Sequence, residues 1–328
     1  MVSRSRIIAI VGAGLAGAVA ARILHQAGLA VRVYDKGRGV GGRMATRRVA
    51  DGPARGVIFD HGAQYVTARD PAFVDAIQRW GAAGVVSTWA EPDWFVGQPG
   101  MTALPRALLE GLPVTTGCMV ARLMQDEAGW RLHDGDDRPI GDGHLFDAVL
   151  VSCPAPQSAA LLATAGVAWP ALDAVRYAAC WALLLAYAGP PWFAEPYRRT
   201  NDPDAAIAWM GRDATKPGRN GTFETLVVHA ASNWSRRHLE EGPAQVECRL
   251  REEVARSLGL TTRDGDMIRH ATAHRWRYSL VTRAAGEPCL WAPERGLGVC
   301  GDGLLGGRVE AAYLSGAALA ARVKESWL

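Results

Sequence analysis

The 328-residue sequence predicts an α/β fold of two domains, the first assembled from both ends of the chain. Three observations carry that prediction. Residues 7–17, IIAIVGAGLAG, run from a short apolar stretch through a glycine turn into a helix. Residues 300–316, CGDGLLGGRVEAAYLSG, form a second glycine-rich turn that opens a helix of small residues. Between them, residues 156–275 change character, mixing strand candidates with proline-rich loops.

The first element, Ile7–Val11, is β-rich and uniformly apolar, as a buried parallel strand should be. Gly12, Gly14 and Gly17 follow, with Ala13, Leu15 and Ala16 between them, and apolar residues continue at helical spacing from Leu15 to Leu24. Gly28 ends that helix, and Ala30–Tyr34 is a second strand. This βαβ unit places GxGxxG in the context a Rossmann-type dinucleotide-binding domain requires. Gly12 permits the tight turn, Gly14 lets backbone approach a pyrophosphate, and Gly17 lets helix pack close to strand. The helix N-terminus then faces phosphate charge. Asp35, eighteen residues after Gly17, is placed to accept from two ribose hydroxyls, with Lys36 beside it.

Residues 36–48, KGRGVGGRMATRR, hold four glycines in six positions followed by Arg43 and Met44. Backbone amides from Gly42 onward, plus a guanidinium, suit a second phosphate or a flavin edge. An NAD dehydrogenase needs no such segment, so the cofactor expected is FAD. FDHGAQY at 59–65 reads as a strand entering a turn, and His61, Gly62, Ala63, Gln64 and Tyr65 are cofactor-edge candidates, with a structural turn as the other reading. A helix is expected over Pro71–Trp80, then short strands and loops over 85–105, where GQPGM is a candidate loop over the cofactor and Trp94 and Met101 candidate covers. Residues 111–125 and 129–154 each read as a strand pair. Ala148–Val151 is a buried strand of the first domain, with Met119, Val120 and Cys153 at the adenosine end.

In the middle region, a helix is expected over Pro156–Ala165, strands at WALLLAYAG and TLVVHA, a helix from the Ser235 region, an amphipathic helix over 243–258, and a strand over 270–278. On that last strand His274, Trp276 and Tyr278 share one face, a candidate pocket wall, while Arg275 points away into an ion pair. His229 and Trp234 flank a turn and are candidates for nicotinamide contact, together with Asn233. Val299–Cys300 is a final strand expected beside the first. Gly301 and Asp302 then lie at a strand C-terminus, where such sheets bind ligands, with Asp302 accepting from a ribityl hydroxyl. The helix over 309–323 aims its N-terminus, with Arg308, Val309 and Glu310, at the flavin N1–C2=O edge, worth about 0.3–1 kcal/mol to an anionic reduced flavin. The expected partition is residues 1–70, 106–155 and 279–328 for the FAD-binding domain, and 71–105 and 156–278 for an α+β substrate domain.

Composition narrows the class. Hydrophobic residues are 49% and charged residues 21%, ordinary for a globular protein. The net charge of +3 is too small to argue for nucleic acid. No apolar run is long enough to span a membrane, and no signal peptide is evident, so a cytoplasmic monomer or dimer is expected. The six cysteines show no CxxC pair, so free thiols and no metal site are expected, with Cys300 packed rather than bonded to flavin. His25, His133, His144 and His238 read as surface residues.

IVGAGLAG, Asp35, GGR at 41–43, FDHGAQY and CGDGLLGGRVEAAYLSG together resemble the FAD-dependent amine oxidase superfamily. FDHGAQYVTARD, PGM at 99–101, HAASNWSRRHL at 229–239 and HRWRY at 274–278 narrow the resemblance to the bacterial renalases, over nearly the whole chain. The resemblance implies a two-domain fold like that of p-hydroxybenzoate hydroxylase, with noncovalent FAD. It implies oxidation of 2- and 6-dihydro isomers of NAD(P)H, with hydride passing to flavin and dioxygen giving hydrogen peroxide. Two alternatives stay open: an amine oxidase or desaturase of another small substrate, and a flavin-binding protein without turnover. Many amine oxidases use a pocket lysine, and the middle region holds one lysine, Lys216.

Overall fold

A computed structural model describes residues 6–141, 143–202, 204–219 and 221–328. In chain order the first half comprises β1 (Ile7–Val11), α1 (Leu15–Gln26), β2 (Ala30–Tyr34), β3 (Thr46–Arg48), β4 (Ile58–Asp60), α2 (Pro71–Ala82), β5 (Val86–Trp89), β6 (Glu91–Gly97), α3 (Ala103–Leu109), β7 (Val114–Thr115), β8 (Arg122–Asp126), β9 (Gly129–His133), β10 (Ala148–Val151) and α4 (Ala155–Ala163). The second comprises α5 (Pro170–Asp173), β11 (Arg176–Tyr187), β12 (Tyr197–Arg199), β13 (Ile207–Arg212), β14 (Glu224–Ala230), α6 (Ser232–Arg237), α7 (Pro243–Leu258), α8 (Thr262–Asp266), β15 (Ile268–Arg283), β16 (Leu290–Ala292), β17 (Leu297–Val299), α9 (Asp302–Leu305) and α10 (Val309–Trp327).

One six-stranded sheet runs β16-β17-β10-β1-β2-β7, parallel except for β16. Its central strands are apolar because both faces are covered: Ile8, Ile10 and Leu150 pack under α1 and α10, and Val149 and Val151 pack on the other side. Hydrogen bonds hold the first turn, with Ser152 Oγ donating to the Gly12 carbonyl at 2.9 Å, and close van der Waals contact restricts it further. A Cβ added to Gly17 would overlap the carbonyl oxygen of Gly12, and one on Gly316 would overlap that of Ala16, so α1 sits hard against both β1 and α10. The last parallel strand is not beside the first, as the sequence suggested. β17 pairs with β10, and β10 pairs with β1. The two glycine turns therefore leave the same sheet edge two strands apart, about 10 Å. The expected strand pair at 111–125 also divides: β7 joins β2, while β8 pairs with β9 in a separate hairpin.

The second sheet, β12-β13-β14-β11-β15, is antiparallel. Period-2 alternation splits β11 cleanly. Trp181, Leu183, Leu185 and Tyr187 pack against α6 and α7 through Trp234, Val246, Leu250 and Val254. Leu184 and Ala186 face the other way, onto Val49, Ala54 and Phe59 from the β3–β4 region. The helix expected from the Ser235 region begins earlier, at Ser232. No helix among the described residues is long and apolar enough to cross a membrane.

Candidate active site

The cofactor clasp is built from the ends of parallel strands. α1 begins at Gly14 with no side-chain cap and no acid in its first turn, which leaves its N-terminal amides available to an anion. A Cβ added at Gly14, Gly301 or Gly306 would meet nothing within 4 Å, so open space fronts both turns. Asp35, at the end of β2, accepts from the amides of Ala13 and Gly37, each at 2.6 Å. The 117–118 backbone lies against it, with Gly117 donating to Gly37 at 2.7 Å and Cys118 donating to the Asp35 carbonyl at 2.9 Å. Cys153, at the end of β10, is close enough to feel the charges of Asp35 and Lys36, and burial pushes its thiol up to about 11. Val120 is half-buried against the adjoining core, whereas Met119 is 60% exposed.

The two turns are joined by a bidentate ion pair. Arg43 donates to both carboxylate oxygens of Asp302, at 2.5 and 2.7 Å, and to the carbonyl of Ser279 at 3.2 Å. Asp302 is thus held by Arg43, a partner that the sequence did not reveal. Tyr177 lies over the guanidinium at 5.9 Å and accepts from the amide of Ala155. Sequence reasoning missed Tyr177, which no local motif marks. Tyr278 meets this group: its ring packs on Tyr177 at 5.5 Å, so it belongs to the clasp rather than to the wall with His274.

The wall itself forms where β4 runs into the 61–65 turn against the second sheet. His229 and His274 both pair with Ala182 and so share one face. The carbonyl of His61 accepts from Trp276 Nε1 at 2.9 Å and lies 3.3 Å from His229 Nε2. The His61 ring packs on His274 at 4.7 Å and on Trp276 at 4.9 Å, and His274 meets Trp276 at 4.4 Å. Burial is the main cause holding these imidazoles uncharged: His61 is pushed down to about 3, helped by His274, and His229 and His274 to about 4. Gly62 is pinned beneath, since a Cβ there would overlap the carbonyl oxygen of Arg43, which also accepts from Ala63 at 2.9 Å. The Gln64 amide nitrogen donates to the carbonyls of Asp60 and Gly62, and Tyr65 stacks on Trp94 at 3.6 Å.

Beneath the wall lies a fully buried charge cluster that sequence reasoning also missed. Lys216 is 3.2 Å from Asp60 and 2.7 Å from Asp213, and Arg219 pairs with Asp60 and, at 3.5 Å, with Asp213. Asp60 also accepts from Thr46 Oγ1 at 2.6 Å and the Met101 amide at 2.9 Å. Burial opposes ionisation of Asp60, but Lys216 and Arg219 overcome it and hold the carboxyl below its ordinary range. Two acids and two bases balance, which is how buried charge is tolerated.

Several expectations are corrected. Trp234 is 6% exposed within the opposite core, on α6, with its ring 4.1 Å from His238; the sheet separates it from His229. Met101 is fully buried and covers no opening. Glu310 is occupied: it accepts from the amides of Arg69 and Asp70 at 2.5 and 2.7 Å and lies 3.4 Å from Arg308, which donates to Thr67. Leu15 and Val309 pack in the core beside Met44. His133 is 9% exposed rather than a surface residue. Arg275 does point away, donating to the Leu239 carbonyl at 2.7 Å.

Comparison with known proteins gives the family of the chain. Residues 10–80 match the NAD(P)-binding Rossmann-like domain, and residues 90–324 match the flavin containing amine oxidoreductases. The chain belongs to that flavin containing amine oxidoreductase family, and FAD, held noncovalently, is its cofactor. Its fold is shared with a protein designated protoporphyrinogen oxidase from Exiguobacterium sp. 255-15 (TM-score 0.72, 12% identity, 98% of each chain covered). Cyclohexylamine oxidase from Brevibacterium oxydans IH-35A matches at TM-score 0.69 and 14% identity, covering 98% of this chain and 99% of that one. A redesigned putrescine oxidase matches at TM-score 0.71 and 13% identity over the same shares. At these identities the likeness is one of fold.

Proposed function

We propose that this amine oxidase-type oxidoreductase oxidises the 2- and 6-dihydro isomers of reduced nicotinamide nucleotides to NAD(P)+, with dioxygen reduced to hydrogen peroxide. When bound, FAD supplies the acceptor for two electrons and their passage to dioxygen. The observation that carries this reading is the wall of His61, His229, His274 and Trp276, which is aromatic and uncharged. A hydride donor needs a stacking surface and no proton acceptor. An alkylamine arrives as an ammonium with a pKa of about 10 and must first lose a proton. Imidazoles that hold a proton only near pH 3 to 4 are poor acceptors for it. Lys216 is no substitute base, because Asp60 and Asp213 hold it in a buried ion pair.

Within the clasp, the amides at the start of α1 bind phosphate charge, and Asp35 and Asp302 orient the sugar and ribityl portions. The second reading, an amine substrate, is favoured by the stack of Tyr65, Trp94, Trp209 and Tyr197, with ring separations of 3.6 to 5.9 Å, because aromatic faces attract cations. The two readings are separated by anaerobic mixing of the FAD-loaded protein with borohydride-reduced NAD, which contains the isomers, and with primary amines. Fast bleaching of the flavin band by the isomers, and little by ordinary NADH, is expected. Bleaching by an amine alone would reverse the assignment.

A further inference from the structure

Among the described residues, one cation beside this wall is left without a counter-charge. Arg47 lies on β3 directly opposite Phe59 on β4, so the two side chains leave the hairpin on one face. Phe59 is fully buried against Leu184, Ala186 and Val227, which fixes that face toward the second sheet. The Phe59 ring stacks on His270 at 5.9 Å, and two residues further His61 meets His274 at 4.7 Å. Arg47 therefore stands at the β15 edge, between the levels of His270 and His274.

Its neighbours are engaged. Arg43 holds Asp302, Arg48 donates to the Gly56 carbonyl, and Arg219 holds Asp60. The half-buried Arg47 guanidinium has no hydrogen bond and no ion pair among the described residues. Its charge is felt by three imidazoles, helping burial to lower the protonation of His61, His270 and His274. The carboxylates within reach of these rings are committed elsewhere, Asp60 to Lys216 and Arg219, and Glu247 to Arg251.

We propose that Arg47, with His270 and His274, forms an anion subsite that takes a phosphate group of the dinucleotide substrate. The proposal rests on the reading that the donor is a dihydronicotinamide nucleotide. A ring stacked at His274 and Trp276 leaves its phosphates to run along β15 toward His270, four residues and about 13 Å away. A guanidinium offers a phosphate two parallel hydrogen bonds, and neutral imidazole N–H groups add donors without a competing acid. The flavin's own phosphates are held elsewhere, at the start of α1.

The test uses FAD-loaded wild type, Arg47→Gln and Arg47→Lys. Donors are a 6-dihydro-NAD isomer and the corresponding phosphate-free dihydronicotinamide riboside. In Arg47→Gln the KM for the dinucleotide should rise about ten- to hundredfold, the loss of one charge-assisted contact, with kcat unchanged and the riboside unaffected. Arg47→Lys should fall between. Inorganic pyrophosphate should compete with the dinucleotide in wild type and not in Arg47→Gln. Equal changes for both donors, or none, would overturn the subsite while leaving the oxidase reading intact. If neither donor reduces the flavin, the oxidase reading falls. Perturbation of flavin absorbance by pyrophosphate in wild type, lost in Arg47→Gln, would then still uphold the anion subsite, and its absence would remove it.

Discussion

The two faces of the five-stranded sheet are made by the same strands and do opposite work. Toward α6 and α7, Trp181, Leu183, Leu185 and Tyr187 interdigitate with Trp234 and Leu250 in a dry core. Toward the cofactor clasp, the alternate residues include His229, His274 and Trp276, backed by His61 and a buried quartet of charges. One face holds the sheet together and the other presents chemistry, because successive side chains of a strand point to opposite sides. The aromatic residues are divided between the two roles by register alone. Trp181 and Trp276 sit on neighbouring strands yet serve different ends.

That contrast can be broken from either side. The largest effect is expected at the charge quartet. Lys216→Met leaves Asp60 and Asp213 facing a single cation, and breaking a buried pair in this way costs about 3–5 kcal/mol. Denaturant unfolding should show that loss, with weaker FAD uptake because Asp60 immediately precedes His61; an unchanged midpoint would mean the quartet is not holding the wall. Trp181→Ala tests the packed face. It should cost about 3 kcal/mol or more, while the folded fraction reduces its flavin at nearly the wild-type rate. A comparable loss of rate would erase the division between faces.

Trp276→Ala removes a stacking surface and the hydrogen bond to the His61 carbonyl. Its expected signature is reversed: a rate of flavin reduction lower by about tenfold, equivalent to 1.4 kcal/mol, with a smaller fall in melting temperature than Trp181→Ala. The mildest effect concerns pH. His61, His229 and His274 have folded values of about 3, 4 and 4, below the ordinary 6.5. Below 6.5 the unfolded chain binds more protons than the folded one, so stability falls as pH drops from there toward 4. These three groups add no slope above their ordinary value. A His274→Asn variant should show a shallower acid limb in thermal melts, and an identical limb would argue that His274 is charged in the fold.

Much of the clasp was legible in the sequence because its parts are local. The strand, glycines and helix of residues 7–26 form one unit, and Gly17 is demanded by a clash with Gly12 only five residues away. Asp302 was recognised as belonging to the same site, but not its engagement by Arg43, which lies 259 residues earlier. Tyr177, Asp213 and Arg219 carried no motif, and Lys216 was noticed only as the middle region's single lysine. Asp213, Lys216 and Arg219 matter because they are brought against Asp60 of β4, and Tyr177 because it is brought over Arg43. Trp234 shows the converse error: it stands five residues after His229, but the chain turns between them and the sheet divides them.

The sequence by itself determined that a Rossmann-type unit begins the chain, that FAD is its cofactor and that a second glycine turn returns to it, because short-range sterics and strand periodicity leave their mark within a few residues. Tertiary structure alone decided which aromatic side chains became core and which became wall, how two acids and two bases came to neutralise one another, and that Arg47 was left over. Those outcomes depend on strand register and on charge balance among segments far apart in the chain, and neither is written into any one stretch of it.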